Sequence, residues 1–524
     1  MGVKEFMMES LKQTLLEEIP EFQKKGEAFL AGELKKMDFK KTSGGFGIYA
    51  HRNGTEFMIR LRILSGVLSK DQLKLVAEFA DRFEVPIIHF TTRQAIQYHG
   101  LSLEAVCEIM RQGLAHNIYT RGAGGNYPRN VAMSPLSGID PEEAFDVVPY
   151  AMAANAYFLK RITTYHLPRK LKVAFSSSLK DTAQCTVQDL GFVAEMKDDK
   201  PHFRIYIGGG LGRNPRKAIR LEKLLPVDEV LYALEAMVRL YQDEGDYENH
   251  NKARVRYMAD RLGDETFAKM YETYLERAIE EGGLSFEAES PRYDKPGIEV
   301  DFKHVAVKEQ KQKGLYSYYL HPVGGQLDRK LLHQINEVIA PMKEVYGRLS
   351  MGEGIYLINL NGEEVQEVAR VLDAENHLSG VEKSRSCIGV PICQMGVLES
   401  QNALRQIVDY FHEKEYSKDT LPPIYICGCT NSCSVHQIAG IGLAGKKKKV
   451  GDTLRGVYDV YVAGNCEVGK TQLGENIGEV LEDKVGACLY ELAQLVDASG
   501  QDFFSYFESN KETVKAHFEK YCQA

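Results

Sequence analysis

Residues 66–110, GVLSKDQLKLVAEFADRFEVPIIHFTTRQAIQYHGLSLEAVCEIM, slide forward 259 positions without a gap onto residues 325–369, GQLDRKLLHQINEVIAPMKEVYGRLSMGEGIYLINLNGEEVQEVA. Gly66 falls on Gly325, Leu68 on Leu327, Leu73 on Leu332, Val76 on Ile335 and Phe79 on Val338. Further on, Ile96 meets Ile355, Leu101 meets Leu360, Val106 meets Val365 and Ile109 meets Val368. Both copies read as strand, helix, strand, helix. In the first, Ser69 and Gln72 form a capping box, with Leu68 and Leu73 placed as a hydrophobic staple. The second keeps the staple as Leu327 and Leu332, with Asp328 as N-cap. Shared caps in a shared register point to duplication.

The copies part company at one turn. Thr91-Thr92-Arg93-Gln94 in the first corresponds to Ser350-Met351-Gly352-Glu353 in the second. A residue that only maintains the fold should survive duplication, so Arg93 and Gln94 read as function added to one half. A second pair of segments follows each copy. Leu167-Pro168-Arg169-Lys170 leads through Lys172 to Phe175 and Leu179, and Leu421-Pro422 leads, 254 positions on, to Cys429 and Cys433. Each then has an apolar glycine-bearing stretch, a glycine-rich turn (Gly208-Gly209-Gly210, or Ala463-Gly464) and a closing helix pattern over 227–241 or 477–496. The order is A, B, A′, B′, with 44–120, 121–290, 300–378 and 379–524 as expected domains after an extension over 1–43. The Gly-, Glu- and Pro-bearing stretch 280–295 is the expected linker. Alternating strands and helices indicate α/β or α+β architecture.

Composition agrees with a folded chain of several domains. The 524 residues are 44% hydrophobic and 26% charged, which excludes a disordered or collagenous protein. No apolar run approaches the roughly 18 to 20 residues of a membrane helix. A net charge of −8 argues against a general nucleic-acid binder. The first 25 residues are charged and lack a secretory apolar core, so the expected compartment is the cytoplasm.

Of ten cysteines, Cys387, Cys393, Cys427, Cys429 and Cys433 crowd into 47 positions. In a reducing compartment such a group reads first as metal ligands. The pattern is Cys387-x5-Cys393, 35 residues, then Cys429-x3-Cys433. Soft thiolates suit zinc or an iron–sulfur cluster. A five-residue gap is wide for a zinc knuckle, whereas a cluster spreads its corners over a cube. Buried inert thiols are the third reading. Cys427 competes with Cys429 as a ligand, and Cys429 is preferred for its x3 spacing to Cys433. His99 reads as a core histidine, His436 as either structural or supporting, and the Lys446–Lys449 run as a solvated turn or part of a docking face for an acidic electron donor.

Five features in order make the chain similar to the siroheme-dependent sulfite and nitrite reductases: Thr92-Arg93-Gln94 through His99-Gly100; Pro128-Arg129-Asn130-Val131; Leu167-Pro168-Arg169-Lys170-Leu171-Lys172; Gly208-Gly209-Gly210-Leu211-Gly212; and the two cysteine pairs. The resemblance runs from about residue 45 to residue 496. It implies an α+β fold in which two ferredoxin-like half-domains, A and A′, pair into one domain beside two larger α/β cofactor-binding domains. It implies that Cys387, Cys393, Cys429 and Cys433 bind a four-iron–four-sulfur cluster, with Cys433 also bridging to siroheme. Arg93, Arg129, Lys170 and Lys172 correspond to the basic residues around the anion. Arg169, Gly208, Gly209, Gly210 and Asn431 correspond to residues that hold the macrocycle.

The chemistry needs such residues. Six-electron reduction of sulfite to sulfide, or of nitrite to ammonia, requires stepwise electrons, a neutralised anion and a source of protons. Lys170-Leu171-Lys172 resembles the sulfite-reducing members; plant-type nitrite reductases tend to carry Asn at the second lysine. Sulfite is therefore the expected substrate, with nitrite the alternative and a non-catalytic iron–sulfur or zinc protein the rival from another class. No flavin or nicotinamide fingerprint appears, so ferredoxin or a separate flavoprotein is the expected donor.

Overall fold

The computed structural model describes residues 3–522 except 289, 290 and 292. The repeated stretch folds as its caps dictate. Ser69 accepts from the Gln72 N–H and completes a capping box on the helix Lys70–Arg82. Asp328 caps the helix Arg329–Ile339 in the same way through the Leu331 N–H. Between its two helices each copy holds two strands, not the single one expected. These are Ile87–Phe90 and Ile96–Leu101 in the first, Tyr346–Leu349 and Ile355–Asn361 in the second. Thr91–Gln94 is thus the tight turn of a hairpin, with Gln94 at φ 53°. The sheets are antiparallel, and the short strand Val67–Leu68 leaves its own copy to pair with Tyr346–Leu349 of the other. That exchange knits A to A′.

B and B′ share a second plan, three parallel strands followed by two antiparallel ones. In B these are Ala132–Met133, Val173–Ser176 and Leu190–Lys197, then Lys200–Ile207 and Ile219–Pro226. In B′ they are Arg385–Ser386, Ile424–Cys427 and Ile441–Val450, then Thr453–Val462 and Glu475–Leu481. Each sheet buries one face under helices: Val148–Lys160, Val230–Glu244 and Asp264–Glu281 in B, Ser400–Glu413 and Val485–Ser499 in B′. The stretch read as one closing helix over 477–496 therefore divides, its first residues forming the edge strand Glu475–Leu481.

The sheet registers also correct the alignment of B with B′. Val173 pairs with Leu190 and Ile424 with Ile441, so the strands correspond at a shift of 251 rather than 254. The difference is three residues that B holds between Pro168 and Val173, in the stretch Arg169-Lys170-Leu171-Lys172. Phe175 and Leu179 are consequently not the counterparts of Cys429 and Cys433; Ser178 and Thr182 are.

The chain divides into two compact units. The first comprises 1–210, 216–320 and 327–374; the second comprises 211–215, 321–326 and 375–524. In the first, the N-terminal extension is the helices Val3–Leu30 and Lys36–Ser43, and Leu11 and Leu15 bury against Leu114, Tyr119 and Leu159. Among the described residues 282–306 there is no helix or strand, which suits the linker reading, although 289, 290 and 292 lie outside the description. Lys446–Lys449 lies within the strand Ile441–Val450 and not in a turn. Lys446 pairs with Asp459 and Glu479, Lys448 with Glu479 and Lys449 with Asp452, so most of that run's charge is neutralised locally. No helix among the described residues is long and apolar enough to cross a membrane.

Candidate functional site

In the first unit the hairpin turn and the Pro128-Arg129-Asn130 loop are locked together. Thr91 Oγ1 accepts from the N–H groups of Arg93 and Ala95, which tightens the turn. Asn130 Nδ2 donates to the carbonyls of Ile63, Arg93 and Gln94 at 2.7, 3.2 and 3.1 Å. In return the Arg93 guanidinium donates to the Asn130 carbonyl at 2.9 Å, the Val173 carbonyl at 2.7 Å and Gln188 Oε1 at 3.0 Å. Gln94, fully buried, donates to the carbonyls of Met133 and Leu349 and accepts from the Met133 N–H. Arg93 and Gln94 were both read as added function. Gln94 instead ties A to B and to A′, and Arg93 carries a large share of the same bracing.

Arg129 is held by its own loop. Its guanidinium donates to the carbonyls of Gly122, Gly124 and Gly125. Its backbone N–H bonds to the Leu171 carbonyl at 2.8 Å, so the Arg129 loop runs alongside the Lys170–Lys172 segment. Leu171 is fully buried, and the alternation of an extended chain places Lys170 and Lys172 on the opposite face, both half-buried. Asp189 fixes this segment by accepting from the Lys172 N–H at 2.8 Å while it accepts from Arg254 at 2.9 Å through both carboxylate oxygens. Arg169 donates to Asn126 Oδ1 at 3.4 Å.

Burial pulls the Arg129 guanidinium down to about 9, with Arg60, Arg169 and Arg62 adding like-charge repulsion against the opposing pull of Tyr49. Arg93 also falls to about 9, again chiefly through burial, with Asp189 opposing the shift. Both remain cationic at neutral pH. The basin thus concentrates positive charge, as a site for an anion and a polycarboxylate requires. Gly209 and Gly210 close on it: a side chain on Gly209 would meet the Gln188 carbonyl, and one on Gly210 the guanidinium groups of Arg254 and Arg256. Sequence reasoning missed Arg60 and Arg254. Arg60 and Arg62 stand two apart in the apolar strand run Phe57–Leu64, and a charge in such a run demands a partner or a ligand. Arg254 carried no comparable signal. His99 is buried, and Gln97 is the partner for its Nε2 at 3.2 Å.

In the second unit the thiols gather at the carboxyl ends of the parallel strands. The Cys387 sulfur accepts from the Gly428 N–H at 3.2 Å and contacts Ser400 Oγ at 3.2 Å. Its thiol is drawn down to about 6, first by a hydrogen bond with Cys427 and then by Ser400, Gly428 and Gly389, against the opposing effect of burial. Cys429 receives the N–H and side chain of Asn431 and feels the charges of Cys387 and Cys393, while Cys427 feels those of Cys387 and Cys433. The four predicted ligands therefore share one neighbourhood, with Cys433 the most exposed. Gly389 and Gly428 press against the Leu398–Ser400 turn, where neither has room for a Cβ. His436, three residues beyond Cys433, is buried with its ring against Tyr461.

The other copy shows what the thiols replaced. At corresponding positions B has Ser134 for Cys387, Asp140 for Cys393, Ser178 for Cys429 and Thr182 for Cys433. The backbone agrees: Asp140 N bonds to Leu136 O at 2.9 Å and Cys393 N to Gly389 O at 2.8 Å, while Ser177 N bonds to Ser134 Oγ at 3.1 Å as Gly428 N does to Cys387 Sγ. One scaffold thus presents hard oxygen groups in B and soft sulfur in B′. Among the described residues no three His, Cys, Asp or Glu side chains converge as a single ion requires. The donors aimed at sulfur, the Gly428 N–H on Cys387 and Asn431 on Cys429, are of the kind that supports thiolate ligands of an iron–sulfur cluster.

Residues 124–279 match the model of the nitrite and sulphite reductase 4Fe-4S domain, and residues 49–116 match the nitrite/sulfite reductase ferredoxin-like half domain. The chain belongs to the nitrite and sulphite reductase family. It is an oxidoreductase of that family, and membership implies siroheme and a four-iron–four-sulfur cluster as its cofactors. The segment matched to the 4Fe-4S domain is B, whose single cysteine is Cys185; the cysteine pairs lie in its duplicate B′. Among relatives, sulfite reductase [ferredoxin] 1 of Mycolicibacterium paratuberculosis is 26% identical over 406 residues, covering 76% of this chain and 71% of that protein. The ferredoxin–nitrite reductase of Synechococcus elongatus is 28% identical over 430 residues, covering 78% and 80%. The structure of the Mycobacterium tuberculosis NirA protein shares the fold with a TM-score of 0.74 at 22% identity, covering 92% of each chain.

Proposed function

We propose that this protein reduces sulfite to sulfide by six electrons, taking them from ferredoxin. The observation that carries the choice of sulfite is the Lys170-Leu171-Lys172 segment, which belongs to the stretch where B exceeds B′ by three residues. When bound, the cluster supplies single electrons and the siroheme supplies the iron at which the anion is reduced. Cys387, Cys393, Cys429 and Cys433 would hold the cluster, Cys433 also meeting the siroheme. Arg169, Gly208, Gly209, Gly210 and Asn431 would seat the macrocycle.

The chain's own residues have three tasks. Arg129 and Arg93 supply positive charge held in place, since both are tied to backbone carbonyls. Lys170 and Lys172 project from one face of an extended segment whose buried Leu171 fixes their direction. Their ammonium groups neutralise the anion and donate protons at Nζ to the oxygens that leave. Asp189, already engaged by Arg254, orients this segment through the Lys172 N–H. A separate flavoprotein donor remains the alternative to ferredoxin, and the retained thiols suit a reducing compartment such as the cytoplasm.

Reduction of nitrite to ammonia is the second reading, favoured by relatives whose names are ferredoxin–nitrite reductases. Steady-state turnover of both anions with reduced ferredoxin separates the two. Lys172→Asn is expected to depress sulfite turnover at least tenfold while nitrite turnover falls much less. An equal loss on both anions removes the basis for choosing sulfite.

A further inference from the structure

The helix Val3–Leu30 has no counterpart before A′, where the described residues of 282–306 hold neither helix nor strand. Its buried stripe is Leu11, Leu15, Ile19 and Phe22. Glu18 stands in that stripe, three residues after Leu15 and four before Phe22. A carboxylate among apolar neighbours needs a partner, and the fold supplies Arg121, whose Nε donates to Glu18 Oε2 at 3.0 Å. The Arg121 and Glu18 side chains are 11% and 26% exposed, so the pair is largely withdrawn from water.

Arg121 is where this helix meets the loop that carries Arg129. Its Nη1 donates to the Gly45 carbonyl at 3.2 Å, and the same carbonyl accepts from the Gly122 N–H at 2.8 Å. Its guanidinium lies over the rings of Tyr127 and Phe46, 4.6 and 5.0 Å from their centres, and Phe46 in turn packs on Phe22 of the helix. From Arg121 to Tyr127 the chain runs Gly122-Ala123-Gly124-Gly125-Asn126. Gly122 and Gly125 have φ of 76° and 63°, and a Cβ on Gly124 would overlap the Gly44 carbonyl. The stretch therefore needs glycine, which leaves it almost no side chain of its own to hold it. Yet the carbonyls of Gly122, Gly124 and Gly125 are the ones that grip the Arg129 guanidinium. Where Arg129 points is thus set by how the loop is pinned. Arg121 pins one end, and Tyr49 Oη, accepting from the Gly125 N–H at 3.1 Å, pins the other.

We propose that Glu18 and Arg121 are positioning residues for anion binding: the N-terminal helix holds Arg121, Arg121 fixes the glycine loop, and the loop aims Arg129. The inference rests on the reading of Arg129 as one of the cations that bind the anion. Removing Glu18 leaves a buried guanidinium without its carboxylate, a state relieved when Arg121 swings towards water and lets go of Gly45.

The test uses full-length holoenzyme: wild type, Glu18→Ala, Glu18→Gln, Arg129→Lys and the double variant Glu18→Ala with Arg129→Lys. Each is followed by steady-state turnover of sulfite and of nitrite, and by backbone hydrogen exchange. Glu18→Ala is expected to raise KM for both anions about fivefold, the scale of one charge-assisted hydrogen bond, with a smaller change in kcat. Glu18→Gln, which can still accept from Arg121, should recover part of that loss. Because Glu18 acts through Arg129, the double variant should lose no more than Arg129→Lys alone. Exchange should quicken at 122–126 in Glu18→Ala while the strand Val173–Ser176 keeps its protection. If Glu18→Ala does not fold, Glu18→Gln carries the same comparisons. An unchanged KM in every folded Glu18 variant overturns the proposal. So do losses that multiply in the double variant, which would place the effect of Glu18 elsewhere. If Arg129→Lys itself leaves KM unchanged, the anion reading of Arg129 fails and takes the proposal with it, an outcome told apart because Arg129 and not Glu18 is then silent.

Discussion

At the scale of single residues, the sequence marked where charge would matter but not how it is held. Arg93 stood out because its copy lost it. That its guanidinium is largely taken up by carbonyls of Asn130 and Val173 is a fact of the loops meeting, which no local pattern encodes. Buried histidines behave similarly. His89 lies in the strand Ile87–Phe90, fully enclosed, with Arg60 and His99 near it and Glu353 of the other copy 4.0 Å away. Burial, aided by Arg60, pulls it down to about 4, so the folded protein keeps it neutral. The unfolded chain protonates it near 6.5, and between these values the unfolded state binds the extra proton. Stability therefore falls as pH drops from about 6.5 to 4, by up to about 1.4 kcal/mol per pH unit for one such group. Urea unfolding across that range should show this slope, and His89→Gln should flatten it by one proton's worth. An unaltered slope would assign the acid sensitivity elsewhere.

At the scale of elements, caps were legible and registers were not. Ser69 with Gln72, and Asp328, announce helix starts through side chains that need only their own backbone. The hairpin within A hid because the turn Thr91–Gln94 lacks the usual Gly or Asn and relies on a positive φ at Gln94, whereas the corresponding turn of A′ holds Gly352. The edge strand Glu475–Leu481 was merged into a helix because five apolar-rich residues fit either period. The false register between B and B′ came from anchoring on Leu-Pro pairs that precede the extra residues. Glycines supply the firmer anchor. Gly191 in B and Gly442 in B′ correspond, and a Cβ on either would lie on the carbonyl oxygen of Cys185 or His436 in the turn that precedes it. Each lets a 3-10 turn, Cys185–Val187 or His436–Ile438, press flat on the sheet. Gly442→Ala should destabilise the second unit by about 1–3 kcal/mol in chemical unfolding, as forced overpacking does. Because that turn directly follows Cys433, the same change should lower iron content. Normal stability would mean that the turn lifts off without cost.

At the scale of the whole molecule, duplication supplied a common scaffold from which A, B and B′ each departed. A carries the hairpin turn with Arg93, B carries the extra residues around Lys170 and Lys172, and B′ carries sulfur where B has hydroxyl and carboxylate. The thiols sit in stretches with little regular structure of their own: 387–399 holds neither helix nor strand, and 428–435 is a succession of turns. Their order depends on Gly389 and Gly428 packing on the Leu398–Ser400 turn and on whatever joins the four sulfurs. Binding that joins them adds its free energy to the folding of that unit alone. Stripping iron with a chelator under reducing conditions should therefore open 387–399 and 428–435 to hydrogen exchange and protease first. The first unit draws on the B core around Phe175, Phe192 and Phe203 and on the exchanged strand Val67–Leu68, none of which touches iron, so it should keep its protection. Uniform loss of protection across both units would show that the cluster supports the entire chain. Loss confined to the cysteine stretches would show that B′ alone depends on it, as a scaffold that folds in its duplicate without sulfur should.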